Sequence, residues 1–270
     1  MKKSLLKISN LKKYYPQQRG LFKRVTSYIK AVDDVSFCVQ EKEIVGLVGE
    51  SGSGKSTLGR AAIRLIEPTE GEISFLGEDL CKLRGKRLRR MRQNVQMVFQ
   101  DPLSSLNPRK TVLENIGEAL LYHNKVDSRE EQIFEVRKIL KKIGIPDSAL
   151  DRYPHQFSGG QQQRISIGRA IALEPKLIVC DEAVSALDLS VQAQILNLLY
   201  DLKEMLNLSY LFISHDLGVV RFLCDRILVM HRGKIVESGQ TTELFENPQH
   251  PYTKTLLSSI PKDIRNYSGR

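Results

Sequence analysis

The sequence predicts an α/β fold in which the strands of a parallel sheet alternate with helices. Leu177–Cys180 is apolar along its whole length, as expected of a central parallel strand that is buried on both faces. Apolar runs at Ile44–Val48 and Tyr210–Ile213 predict two more strands. From about Thr111 to Gly144 the apolar positions recur at helical spacing instead. The pattern therefore predicts a parallel-sheet core with a helical insertion near residues 101–165.

The other elements follow from alternation, helical spacing and turn residues. Pro16–Lys30 is basic and turn-like, so we interpret it as a long hairpin loop between the first two strands, and Arg232-Gly233 as the turn of a second hairpin. Pro146 and Pro154 interrupt the helical part. The predicted strands span residues 5–8, 31–39, 44–48, 70–77, 95–99, 177–180, 210–213, 226–230 and 234–237, and the predicted helices span residues 58–66, 111–144, 159–171, 191–205 and 216–222.

The composition fits a soluble globular protein, because 41% of the 270 residues are hydrophobic and 27% are charged. No stretch approaches the roughly 18 consecutive apolar residues that a transmembrane helix needs. We expect no signal peptide, since Lys7 interrupts the apolar run that follows the basic start of the chain. The four cysteines are scattered, which predicts reduced thiols and neither a disulfide framework nor a metal site.

Part of the net charge of +10 lies between Lys82 and Arg92, where seven of eleven residues are basic. Three interpretations are open: a solvated helix face, a contact with anionic lipid headgroups, and a contact with nucleic acid. No aromatic residue lies between the charges, which disfavours nucleic acid.

The most specific local pattern is Gly49-Glu50-Ser51-Gly52-Ser53-Gly54-Lys55-Ser56-Thr57. This is the G-x-x-x-x-G-K-[ST] phosphate loop, and it stands between a predicted strand and a predicted helix, as the motif requires. Its glycines let successive backbone N–H groups point at phosphate oxygens, and the helix adds its positive N-terminal end. Lys55 can reach the β- and γ-phosphates and the Ser56 hydroxyl can hold Mg²⁺, so the pattern predicts nucleotide binding.

The predicted strand 177–180 is followed by two carboxylates, Asp181 and Glu182. A carboxylate at a strand tip can bind Mg²⁺, usually through water, which is the role predicted for Asp181. Glu182 is then placed beside the γ-phosphate, where it can polarise an attacking water molecule. With a phosphate loop in the same chain, this pair predicts hydrolysis of a nucleoside triphosphate.

The segment Phe157-Ser158-Gly159-Gly160-Gln161-Gln162-Gln163-Arg164 resembles the signature motif of the ATP-binding cassette (ABC) family. Its Ser158 hydroxyl and glycine amides offer donors at a helix N-terminus. The resemblance implies that Ser158, Gly159, Gly160 and Gln161 bind the γ-phosphate of ATP held by the other subunit, so that two subunits enclose two ATP molecules. Phe157 stands where leucine is common, and we expect no functional consequence.

Four further positions match the family in order. Gln100 resembles the Q-loop glutamine that senses Mg²⁺ and the γ-phosphate, Asp188 ends a segment that resembles the D-loop, and His215 resembles the switch histidine. Tyr15 resembles the aromatic residue that stacks on adenine, with the adjoining Tyr14 as the alternative. The resemblance implies an ATPase whose catalytic residues are Glu182, His215 and Gln100, and whose Mg²⁺ is held by Ser56, Gln100 and Asp181.

The resemblance also makes the fold class specific: an α/β P-loop NTPase (RecA-like) parallel-sheet core with an antiparallel β subdomain and an inserted α-helical subdomain. We expect a single ABC ATPase domain over residues 1–270. Its nucleotide-binding core is predicted over residues 1–100 and 166–240, its helical subdomain over 101–165 and a C-terminal extension over 241–270.

Within the family, the chain is most similar to the separate ATPase subunits of importers. The gap between Lys55 and Ser158 leaves no room for the long coiled coil of chromosome ATPases, and translation factors of the family carry two cassettes. Exporters commonly add membrane helices, which this sequence lacks. The segments that resemble oligopeptide, dipeptide and nickel importer ATPases are residues 20–24, 30–33, 97–109, 181–188 and 250–257.

The best match is the second, F-type, of the two paired ATPases in such systems. The resemblance implies a position at the cytoplasmic face of the bacterial plasma membrane, with two transmembrane permease subunits, a paralogous ATPase or a second copy of this chain, and an extracytoplasmic substrate-binding protein. Peptides are the expected cargo, and nickel or a metal chelate is the alternative. A soluble ATPase acting on nucleic acid or ribosomes remains a further alternative, although no nucleic-acid partner is expected. Since no cysteine follows Cys224, we expect none of the iron–sulfur clusters that some relatives carry in a longer tail.

Overall fold

The computed structural model describes residues 4–19 and 24–258. In chain order, the strands are β1 (Ser4–Arg19), β2 (Arg24–Gln40), β3 (Ile44–Val48), β4 (Glu70–Phe75), β5 (Glu78–Asp79), β6 (Val95–Val98), β7 (Leu177–Asp181), β8 (Ser209–Ile213), β9 (Arg226–His231) and β10 (Lys234–Gln240). The helices are α1 (Lys55–Ala62), α2 (Gly85–Gln93), α3 (Pro102–Ser105), α4 (Val112–Tyr122), α5 (Arg129–Lys142), α6 (Gly159–Ile171), α7 (Leu189–Leu206), α8 (Leu217–Leu223), α9 (Thr241–Glu246) and α10 (Pro251–Ser258). Within the described ranges, every helix is too short or too polar to span a bilayer.

The chain divides into two compact units, residues 1–88 with 210–270 and residues 89–209. In the first unit, an antiparallel sheet has the strand order β2-β1-β4-β5, and a second set of strands has the order β10-β9-β3-β8. Strand β3 pairs in parallel with both β8 and β9, whereas β10 returns antiparallel along β9. The buried strands β3 and β8 are apolar on both faces, as parallel strands require. The predicted α/β fold with parallel strands and an antiparallel β part is therefore confirmed.

In the second unit, β6 and β7 form a parallel pair, and α4, α5 and α6 pack on one another. Ile116, Ile139 and Ile143 approach the backbone at Gly168, where an added Cβ would lie 2.8 Å from Ile143. The helical stretch predicted as one span is two helices, because Thr111 and Ser128 each cap a separate N-terminus.

The prediction of a long hairpin loop over residues 16–30 is wrong. Strands β1 and β2 remain paired through most of it, with Tyr15 opposite Ile29, Pro16 opposite Tyr28 and Gln17 opposite Ser27, and the segment 20–24 lies largely outside the described residues. The side chains of residues 26–30 are exposed. A two-stranded ribbon without a buried face shows no apolar alternation, so its sequence looks like a loop although its backbone forms a ladder.

The basic segment from Lys82 to Arg92 lies largely on α2. All seven of its basic residues are exposed, whereas Met91 is buried. Arg89 stacks on Tyr122, with its guanidinium carbon 3.6 Å from the ring centroid. The arrangement is that of a helix face turned toward solvent.

Candidate functional site

The predicted phosphate loop follows β3 directly and leads into α1. Helix α1 begins at Lys55, three residues earlier than predicted, so Lys55, Ser56 and Thr57 form its first turn. Because Leu47 of β3 lies opposite Ile213 of β8 in a parallel pair, the loop and the segment after β8 leave the strands at the same edge. This edge of an open parallel sheet is where α/β proteins bind their ligands.

Close backbone contacts fix the course of the loop. Gly54 has φ +108°, and a Cβ there would lie 2.0 Å from the carbonyl oxygen of Ala31 in β2. A Cβ at Gly49 would lie 2.1 Å from the carbonyl oxygen of Met230 in β9. Gly233 also contacts the loop, since its N–H donates to the Ser53 carbonyl at 2.9 Å. These contacts require glycine at two positions of the motif, independently of any ligand.

The lysine of the motif folds back over the loop. Its Nζ donates to the carbonyl oxygens of Gly49 and Glu50, both at 2.8 Å, and Lys55 is 4% exposed. Ser53 is also buried, and its Oγ has no hydrogen-bond partner among the described residues. Ser51 and Gly52 are exposed at the tip of the loop. The loop therefore offers a cation, backbone N–H groups and a buried hydroxyl, which is a donor set suited to phosphate.

His215 stands at the exposed end of β8, between two residues that are held in place. The Ser214 Oγ accepts a hydrogen bond from the Asp216 N–H at 2.9 Å, and the Asp216 carboxylate caps α8 by accepting from the Gly218 N–H at 2.8 Å. This short turn places His215 at the same sheet edge as the phosphate loop.

The two tyrosines considered for adenine have different surroundings. The Tyr14 hydroxyl donates to Asp33, and this hydrogen bond lowers the pKa of Asp33 and raises the pKa of Tyr14. Tyr15 is 39% exposed, and Lys13 Nζ lies 5.1 Å from its ring centroid. The environment of Tyr15 leaves its ring the more accessible of the two.

In the second unit, the glutamine predicted for the Q-loop and the glutamate predicted to be catalytic are in contact. Since Val98 lies opposite Cys180 in a parallel pair, Gln100 and Glu182 emerge side by side from β6 and β7. Gln100 Nε2 donates to Glu182 Oε2 at 3.1 Å and to Ser185 Oγ at 3.4 Å.

The two carboxylate residues after the apolar part of β7 are distinguished by backbone conformation in one case and by burial in the other. Glu182 has φ +50°, a left-handed conformation that is costly for a glutamate and that Glu174 also adopts, so it is not by itself a sign of function. Asp181, the last residue of β7, is only 3% exposed. Sequence reasoning placed Ser185 in the D-loop segment but gave it no role of its own, because its contact with Gln100 spans 85 residues.

The signature segment begins α6 with a capping box. Ser158 Oγ accepts from the Gln161 N–H at 3.4 Å, and Gln161 Oε1 accepts from the Ser158 N–H at 3.1 Å. The Ser158 hydroxyl proton is not used in this box, so it can be donated to a ligand. Asp188 similarly caps α7 by accepting from the Val191 N–H at 2.9 Å, and this hydrogen bond lowers the pKa of Asp188.

The two glycines of the signature segment differ in the space around them. A Cβ added at Gly160 would lie 2.3 Å from a methyl group of Val191, whereas one at Gly159 would meet Leu187 at 3.7 Å, an ordinary contact. We expect Gly160→Ala to destabilise the protein by about 1–3 kcal/mol, because the methyl group of a β-branched side chain cannot move aside easily. Urea unfolding measures this free energy.

Gly159→Ala is the matched control, since it makes the same change one residue away, and we expect no loss of stability from it. The double variant Gly160→Ala with Val191→Ala should recover part of the loss by removing the clash. Equal effects of the two glycine substitutions would contradict this account of the packing.

The residues predicted to hold Mg²⁺ are oxygen donors, namely the Ser56 hydroxyl, the Gln100 amide and the Asp181 carboxylate. Hard cations such as Mg²⁺ prefer such ligands. Among the described residues there is no cluster of three or more His, Cys, Asp or Glu side chains that could hold a metal ion. The chemistry of each of these groups therefore suits a magnesium ion that takes most of its ligands from phosphate and water.

Comparison with known proteins gives two family matches and a large set of relatives. The model of the family described as "ABC transporter" matches residues 32–185, and that described as "Oligopeptide/dipeptide transporter, C-terminal region" matches residues 236–267. The oligopeptide transport ATP-binding protein AppF of Bacillus subtilis is 52% identical over 259 residues, which is 96% of this chain and 78% of that protein. OppF of Lactococcus lactis subsp. lactis, also an oligopeptide transport ATP-binding protein, is 51% identical over 257 residues, covering 95% and 80% of the two chains.

Solved structures agree with the fold. CbiO1 from Clostridium perfringens, part of the ABC transporter complex CbiONQ, superimposes with a TM-score of 0.78 at 26% identity and covers 90% of this chain and 91% of that one. A dimeric post-hydrolysis state of the ATP-binding cassette MJ0796, bound to ADP and Pi, gives a TM-score of 0.77 at 31% identity, with coverage of 87% and 98%.

Proposed function

Since the chain belongs to the ABC family of transporter ATPases, we propose that it is the ATP-hydrolysing subunit of a bacterial importer of oligopeptides or dipeptides. The observation that carries this proposal is the match over nearly the whole chain to oligopeptide transport ATP-binding proteins. A second match, to the C-terminal region of oligopeptide and dipeptide transporters, extends the likeness beyond the ATPase segment. The cargo itself is bound by other subunits.

ATP binds at the phosphate loop in this proposal. Backbone N–H groups of the loop and the N-terminus of α1 surround the phosphates, and Lys55 Nζ exchanges its two loop carbonyls for the β- and γ-phosphate oxygens. Tyr15 stacks on adenine. Ser56, Gln100 and Asp181 would hold Mg²⁺, which neutralises the charge that develops on the phosphates.

Hydrolysis depends on the glutamate that Gln100 holds. Glu182 orients a water molecule and takes its proton, while Gln100 Nε2 fixes the carboxylate through the 3.1 Å hydrogen bond. His215 contacts the γ-phosphate from the end of β8. Ser158, Gly159, Gly160 and Gln161 bind the nucleotide held by the opposing ATPase subunit, and Asp188 lies at the interface of the two subunits.

The proposed assembly is an importer complex at the cytoplasmic face of the plasma membrane. It contains two permease subunits, a paralogous ATPase or a second copy of this chain, and an extracytoplasmic substrate-binding protein. Contacts with the γ-phosphate favour the closed ATPase dimer, and hydrolysis removes them, so that the dimer opens again and moves the permease.

The experiment that tests this function is capture of the assembled complex. A tagged Glu182→Gln variant, trapped with ATP in native cells and purified from detergent-solubilised membranes, is expected to bring down two multi-helix permeases and a sister ATPase. Adding Lys55→Ala to the same variant is the control, because it removes the nucleotide that holds the dimer closed, and the sister ATPase should then be recovered less. Recovery of ribosomes or nucleic acid without membrane proteins would overturn the transport assignment.

The cargo is tested separately by uptake. Deletion of the chain is expected to abolish uptake of a labelled oligopeptide or dipeptide and to leave nickel uptake unchanged. Loss of nickel uptake with normal peptide uptake would assign the chain to the metal or metal-chelate importers.

A further inference from the structure

A tyrosine near the C-terminal end of the described chain contacts the phosphate loop. Tyr252 lies in α10, and its hydroxyl oxygen accepts a hydrogen bond from the Glu50 N–H at 3.0 Å across 202 residues of sequence. Its ring packs on His231, with ring centroids 4.0 Å apart and planes tilted by 36°. The mechanism above uses neither Tyr252 nor the segment around it.

The start of α10 is itself held in place, so that this contact is made by a fixed side chain. The Glu237 carboxylate on β10 accepts hydrogen bonds from the Gln249 N–H at 2.7 Å and the His250 N–H at 3.0 Å. His250 Nδ1 then accepts from the Tyr252 N–H at 3.1 Å, and Thr253 is completely buried. The short segment from Gln249 to Thr253 is therefore anchored on both sides of Tyr252.

Glu50 is the second residue of the phosphate loop, and its side chain is exposed. Its carbonyl oxygen accepts from the Ser53 N–H at 3.2 Å, which closes the turn, and from Lys55 Nζ at 2.8 Å. Its N–H is taken by Tyr252. Both the N–H and the carbonyl of Glu50 are thus hydrogen-bonded, and a single hydrogen bond, from the Glu50 N–H to the Tyr252 hydroxyl, connects the first half of the loop to α10.

We propose that Tyr252 is a positioning residue for the phosphate loop, and that through it the segment 249–258 is coupled to nucleotide binding. The hydroxyl holds the N–H of the Gly49–Glu50 peptide group and so fixes the backbone at the start of the loop, which is therefore ordered before the nucleotide arrives. Ordering a loop in advance strengthens binding, because less conformational freedom is lost when the ligand binds. Burial raises the pKa of the Tyr252 hydroxyl, which is protonated at neutral pH even without this shift. This inference rests on the proposed binding of ATP at the loop.

The test is Tyr252→Phe in the full chain, which removes the hydroxyl and keeps the ring against His231. Affinity is measured by calorimetric titration with MgADP, which the protein does not hydrolyse. The dissociation constant is expected to be roughly two- to tenfold higher than that of the unchanged protein, which is the change in affinity that loss of one hydrogen bond produces. Tyr200→Phe is the matched control, since it makes the same change at an exposed tyrosine in α7, and its MgADP affinity should be unchanged.

A second readout separates positioning from a general loss of stability. Hydrogen exchange at the Glu50 amide should be faster in Tyr252→Phe, because its acceptor is gone. In the unchanged protein MgADP should slow exchange in α10, and in Tyr252→Phe it should not, since coupling between two sites acts in both directions. The thermal midpoint of Tyr252→Phe should stay close to that of Tyr200→Phe.

Affinity for MgADP that is unchanged or tighter in Tyr252→Phe would overturn the inference, and tighter binding would mean that the contact opposes the nucleotide. The inference would also be overturned if MgADP did not slow hydrogen exchange in α10 of the unchanged protein. Failure of the unchanged protein to bind MgADP at all would instead contradict the proposed function, so the two failures are distinct.

Discussion

Replacing Glu182 with Gln is expected to slow ATP hydrolysis by about 10²- to 10⁴-fold, the usual contribution of a positioned general base, while ATP still binds. The amide has nearly the same shape as the carboxylate, and its oxygen can still accept the hydrogen bond from Gln100 Nε2. It cannot take up a proton at neutral pH, so the attacking water molecule is no longer activated. Single-turnover hydrolysis by the importer complex measures the chemical step directly.

The matched control is Glu204→Gln, which makes the same change at a residue whose ion-pair partner is Lys203, at 3.5 Å on α7. Its turnover should equal that of the unchanged complex. Normal turnover by Glu182→Gln would remove Glu182 from the role of general base. Loss of both turnover and ATP binding would indicate that the left-handed backbone at Glu182 depends on the carboxylate.

Replacing Lys55 with Ala is expected to weaken ATP binding by at least about a hundredfold. The substitution removes the only side-chain cation of residues 49–57, and charge-assisted hydrogen bonds to an anion are worth about 1.5–3 kcal/mol each. Since every 1.4 kcal/mol is about tenfold in affinity, two such bonds give this loss or a larger one. Equilibrium binding of a fluorescent ATP analogue provides the measurement.

Lys55 also holds the loop, because it donates to the carbonyls of Gly49 and Glu50. The thermal midpoint of Lys55→Ala must therefore be recorded beside its affinity, to show that the variant is folded at the temperature of the measurement. Lys12→Ala is the control for loss of one positive charge, since Lys12 pairs with Glu70 at 2.6 Å on the antiparallel sheet. Undiminished affinity in a folded Lys55→Ala would contradict the phosphate-loop assignment.

The sequence predicted the parts of the site that depend on local chemistry. The loop at residues 49–57 could be recognised because glycines and a lysine at fixed spacing have few other uses, and β3, β7 and β8 because buried parallel strands are continuously apolar. Short helices such as α3 and α9 were missed, since four to six residues are too few to show a helical period.

Contacts between distant parts of the chain could not be predicted in this way. Nothing in the residues near Gly160 indicates that Val191 fills the space beside it, and nothing near Glu50 points to Tyr252. Helical spacing and turn residues describe each segment by itself, whereas these contacts follow from how the segments pack. The roles of the site residues in catalysis are likewise predictions, which the substitutions above test.

The ribbon formed by β1 and β2 bears on how the protein avoids aggregation. Pairing between β1 and β4 ends at Lys12, so from Lys13 to Arg19 strand β1 has β2 on one side and, in the part of the chain that the structure describes, no strand on the other. An open strand edge of this kind is a template for another chain. Pro16 interrupts it, because proline offers no N–H for a new ladder, and Lys13 adds a charge that a stacked copy would have to bury. Pro16, which made this stretch look like a loop, therefore helps to protect the open edge from adding a strand of a neighbouring molecule.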